Sequence, residues 1–123
     1  MRRLDEEASA LEPSATDAMT ALAQNLRKIT GVEGAVIMSR DGVVLTSDME
    51  GDAEKEGAVA VFVGNAAAEL GSAMSLTPFD WGLVIMGKDR MLILERAAFF
   101  VGLSLSESAS PALVSAEAAT ILG

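Results

Sequence analysis

Carboxylates recur at every second position along Asp48, Glu50, Asp52, Glu54 and Glu56. Clustered oxygens of this kind are what a hard cation requires. A calcium loop, however, needs its ligands in a fixed order around a central glycine and a closing bidentate glutamate, and this stretch does not match it. The better reading is that Asp52 caps a helix and the neighbouring acids line its positive end. A second stretch, Gly82-Leu-Val-Ile-Met-Gly87-Lys88, matches the opening of a phosphate-binding loop. The residue that should follow is serine or threonine. Here it is Asp89, whose charge repels phosphate, and no helix follows to present its N–H groups. The chain has no histidine, cysteine or tyrosine. That removes imidazole bases, thiol nucleophiles, thiolate zinc sites and disulfides together. A carboxylate pair can hydrolyse glycosides, but these acids concentrate at loop and turn positions. The expected chemistry is binding, with no catalytic residue, no metal ligand and no cofactor.

The element that must carry such binding is a helix over about Asp52 to Ser75. Ala53, Gly57, Ala60, Gly64, Ala67 and Gly71 fall at alternating spacings of four and three. At about 100° per residue they form one narrow stripe. Glycine inside a helix costs roughly 0.5–1 kcal/mol relative to alanine, a cost tolerated where backbones approach closely. Val59, Val63, Leu70 and Met74 lie beside the stripe, so the apolar arc is too wide for one contact. The stripe is read as meeting the same helix of a second copy, with the larger residues on a sheet. The alternative is that the whole arc lies on one sheet. Lys55, Asn65 and Glu69 mark the polar side. Phe62 sits among them, either covered by a neighbouring segment or offered to a partner.

Other elements frame this helix. Met1 to Ala15 reads as a charged tail broken by Pro13, with a short helix over Leu4 to Leu11 as the lesser possibility. Thr16 suits a helix cap with Asp17 in the first turn. Met19, Leu22, Leu26 and Ile29 then give an amphipathic helix that Gly31 ends, Arg27 and Lys28 lying in its last turn. Val32 to Ser39 and Val43 to Ser47 form a hairpin about Arg40-Asp41-Gly42. Thr77-Pro78 stops the long helix. Strands follow over Phe79 to Met86, Met91 to Arg96 and Phe99 to Leu105, joined by Gly87 to Arg90 and by Ala97-Ala98. In the first of these, Phe79, Trp81, Leu83 and Ile85 share one face, and Asp80, Gly82, Val84 and Met86 the other. Ser110-Pro111 opens a closing helix through Leu113, Val114, Ala118, Ile121 and Leu122. The order αββαβββα predicts an α+β fold, one five-stranded antiparallel sheet with helices on both faces, over residues 16–123.

The totals agree with a binding module. At 123 residues the chain is one domain by length, half its residues are apolar, and its net charge is −9. A mean hydropathy of +0.36 at that charge fits surface hidden in an oligomer. The acidity argues against nucleic acid and anionic membranes. No apolar run reaches the ~18 residues that span a bilayer, and the first residues lack a signal segment, so no membrane insertion and a cytoplasmic location are expected.

Leu26-Arg-Lys-Ile-Thr-Gly-Val-Glu-Gly-Ala-Val-Ile-Met-Ser-Arg-Asp-Gly42 resembles the opening of a roadblock/dynein light chain domain. The small-residue helix resembles that family's central helix, and Met91-Leu-Ile-Leu94 its apolar penultimate strand. The resemblance spans about Asp17 to Leu122. It departs at Ser108 to Leu113, where many members start the last helix with Gly-x-x-Arg. It implies homo- or heterodimers, here a homodimer, through the central helices and the edge strand before the last hairpin, one sheet running across both copies. Carried to this chain, the dimer surface is Gly57, Ala60, Gly64, Ala67 and Gly71 with Gly82, Val84 and Met86. Bacterial members of the MglB type bind a small Ras-like GTPase and regulate its hydrolysis. The expected function is therefore a dimeric GTPase regulator or effector without an active site, its partner face at Lys55, Phe62, Asn65 and Glu69. Two alternatives are a structural adaptor dimer with no effect on nucleotide turnover and a small-ligand sensor, which needs a deep pocket.

Overall fold

The structure is a computed structural model that describes residues 15–75 and 79–123. The expected tail before Ala15, its Leu4 to Leu11 alternative and the Thr77-Pro78 stop lie outside the described residues. Within them the elements are α1 (Ala15–Arg27), β1 (Val32–Ser39), β2 (Val44–Asp48), α2 (Ala53–Ala73), β3 (Trp81–Met86), β4 (Asp89–Glu95), β5 (Phe99–Leu105) and α3 (Pro111–Leu122). The five strands form one antiparallel sheet in the order β2-β1-β5-β4-β3. This is the α+β arrangement that the sequence predicts.

Two apolar layers sandwich the sheet. On one face Ala23 and Leu26 of α1 and Val114 and Ala118 of α3 pack with Ala35, Ile37, Leu92, Leu94, Val101 and Leu103. On the other, Ala60 and Val61 of α2 pack with Val36, Met38, Met91, Ile93 and Phe100. The inner strands β1, β4 and β5 are apolar on both faces because both faces are covered.

Local chemistry sets most element ends. Asp52 accepts the Lys55 N–H at 3.1 Å and Ser110 accepts the Leu113 N–H at 3.4 Å, so both predicted caps hold their helices. Gly42 turns the first hairpin at φ +97°, where Ser39 N–H donates to Val43 O at 2.8 Å. Arg27, in the last turn of α1, pairs with Asp48 at 2.8 Å. In the β1–β2 ladder Ile37 pairs with Thr46 but Met38 with Val44, so β2 carries a one-residue bulge at Leu45.

Three expectations need correction. Thr16 lies inside α1, which begins at Ala15. Phe79 precedes β3 and turns to the α2 side of the sheet, with its ring against Gly82, so it does not share a face with Trp81, Leu83 and Ile85. The third correction concerns the small-residue stripe. Gly57, Ala60 and Gly64 are buried against the chain's own sheet and do not form an exposed seam for a second copy. A Cβ on Gly57 would touch Val44, Val36 and Met38, and one on Gly64 would overlap the Phe100 ring. The stripe exists so that α2 can lie close on β1 and β5. Ala67 and Gly71 continue it at half-buried positions. The larger residues fall on the helix's open side: Leu70 is 60% exposed and Met74 59%.

Gly64→Leu consequently reports on folding. Overpacking against Phe100 is expected to cost about 3 kcal/mol. Urea denaturation at two protein concentrations checks it: the loss of stability should be the same at both, as for an intrachain contact.

Candidate interaction surface

β3 is the last strand of the sheet, and its outer edge has no partner among the described residues. Exposed backbone donors and acceptors on such an edge invite another strand. The strand pairs with β4 from Trp81 opposite Leu94 to Met86 opposite Asp89. Side chains alternate. Trp81, Leu83 and Ile85 take the face of α1 and α3, where Leu83 packs on the core and Ile85 stays 62% exposed. Gly82, Val84 and Met86 take the face of α2. There Gly82 lies under the Phe79 ring, Val84 is half-buried, and Met86 is 54% exposed. Large apolar side chains thus emerge on both sides of an open edge.

The outer half of α2 has two distinct faces. Lys55, Phe62, Asn65 and Glu69 are all exposed and fall within an arc of about 80°, so the structure brings these predicted residues together. Phe62 is 77% exposed on this arc, and no neighbouring segment among the described residues covers it. Val59, Val63, Leu70 and Met74 form a second, apolar arc. Val59 shares a cleft with Met86 and Met91, and Val63 packs with Val84 on one cluster, so this flank is the one turned toward β3.

That cleft holds about 640 Å³ between the N-terminal end of α2 and the β3–β4 hairpin. Val59, Met86, Met91 and Leu105 line it together with a majority of charged residues, five of them acidic and three basic. Glu56 accepts a hydrogen bond from the Ser104 hydroxyl at 3.0 Å. Arg90 closes one side. Its Nη2 donates to the carbonyl oxygens of Ser106, Glu107 (3.2 Å) and Ala109 (2.8 Å), fastening the approach to α3. The Arg90 Nε is buried without a partner among the described residues. Among the described residues no histidine, cysteine or carboxylate cluster is arranged to hold a metal ion. The phosphate-loop lookalike is β3 followed by a two-residue turn, Gly87-Lys88, with Gly87 at φ +62°, and then β4. No helix among the described residues is long and apolar enough to cross a membrane.

The sequence reading placed Leu70 and Met74 on the sheet, where the structure leaves them exposed, and missed the Arg90 clamp and the exposure of Ile85. The signal for the flank was present: four large apolar residues at helical spacing beside a stripe of small ones. What it lacked was the direction of the sheet.

No family model matches the chain, and no curated protein sequence does. Solved structures do. The roadblock/LC7 domain from Streptomyces avermitilis superposes with a TM-score of 0.75 at 16% identity, over 84% of this chain and 90% of that one. Myxococcus xanthus MglB gives 0.75 at 13% identity, over 90% and 89%. An MglB in a tetrameric arrangement gives 0.73 at 16% identity, over 90% of each. The fold is that of a roadblock domain. The last helix opens at Ser110-Pro111, and Arg90 reaches the preceding loop from β4.

Arg90→Met keeps the apolar stem and removes the clamp. Charged hydrogen bonds to three carbonyls predict a loss of about 2 kcal/mol. Denaturation should show it, together with faster amide exchange over residues 106–113 than elsewhere in the chain.

Proposed function

We propose that this chain is a non-catalytic, cytoplasmic regulator or effector of a small Ras-like GTPase, working as a homodimer. The observation that carries the reading is the surface itself. A roadblock fold similar to MglB leaves the β3 sheet edge open and the outer side of its central helix exposed, with Phe62 within a mixed polar arc. The dimer forms along the β3 edge, Gly82 to Met86, with the Val59–Met74 flank of α2 beside it. The Lys55, Phe62, Asn65 and Glu69 arc then lies free for the GTPase on both copies. An exposed aromatic ringed by a lysine, an amide and a carboxylate has the composition of an interface anchor. Such a regulator needs no reacting group. It acts by favouring one arrangement of the GTPase switch loops, whose own residues carry the hydrolysis. The chain's lack of histidine, cysteine and tyrosine is compatible with this role.

The test is binding to the small Ras-like GTPases of the source organism, and their hydrolysis rates with and without this chain. A complex and a changed rate support the proposal. A complex with an unchanged rate favours the adaptor reading, and no complex rejects both for those partners. Phe62→Ala should weaken the complex about thirtyfold, ~2 kcal/mol, as loss of an aromatic anchor does. Its thermal midpoint should barely move, because the ring lies outside the core. A large drop in midpoint would remove Phe62 from the partner face.

A further inference from the structure

We draw no further inference here: the strongest candidate, the cleft of about 640 Å³ between the N-terminal end of α2 and the β3–β4 hairpin, combines five acidic with three basic residues, so its charge selects no one class of ligand, and nothing in the structure shows what covers it.

Discussion

Phe100 lies in a slot whose two walls come from distant parts of the chain. Gly64 of α2 covers one side of the ring, and the Arg40 guanidinium stands 4.8 Å from its centroid on another. The slot fixes how near α2 comes to the sheet. Any side chain at position 64 would lift the helix off β5, and with it the contacts of Ala60 and Val61. Arg40 extends the arrangement outward. It donates to Arg96 O at 2.8 Å and to Glu95 at 2.7 Å, so the tip of the first hairpin is tied to the turn between β4 and β5. Helix height, ring position and the relation of two hairpins thus depend on one another. The glycine penalty in α2 is the local cost of that shared contact, and a cation over a buried ring offsets part of it.

The closeness of α2 explains what remains outside. A helix resting on glycine and alanine sinks deep enough that residues only 100° away around its axis are lifted clear of the sheet. Leu70 and Met74 are exposed for that reason, and Phe62, almost opposite the stripe, is exposed further still. The same helix does not reach over β3, whose Val84 and Met86 are left half-covered or bare. An acidic chain without histidine, cysteine or tyrosine has therefore placed much of its exposed apolar surface along one border of the sheet.

Much of this was legible from residue order. Strand alternation, Asp-Gly at the first hairpin, and capping by Asp52 and Ser110 are local effects, and local effects survive in the fold unchanged. The direction of the small-residue stripe was not legible. Helical periodicity says which residues share a face, but a glycine row suits a sheet and a second helix equally well. Only the positions of Phe100 and Val36 decide between them. Phe79 failed for a related reason: alternation assumes that the strand has begun, and that ring turns toward the core before the ladder starts. Arg90 was invisible because its three carbonyl partners lie on a loop that sequence spacing does not bring near β4.

The sheet has a second open border, β2, and it is built differently. It is five residues long and bulged at Leu45. A bulge twists a strand and breaks the even run of donors and acceptors that an incoming chain would copy. β3 is longer and has no register shift against its neighbour. Strand addition is therefore favoured on one side: of the two borders, only β3 offers an incoming chain an even run of donors and acceptors, and a sheet with one such border has no means of running on into a fibre.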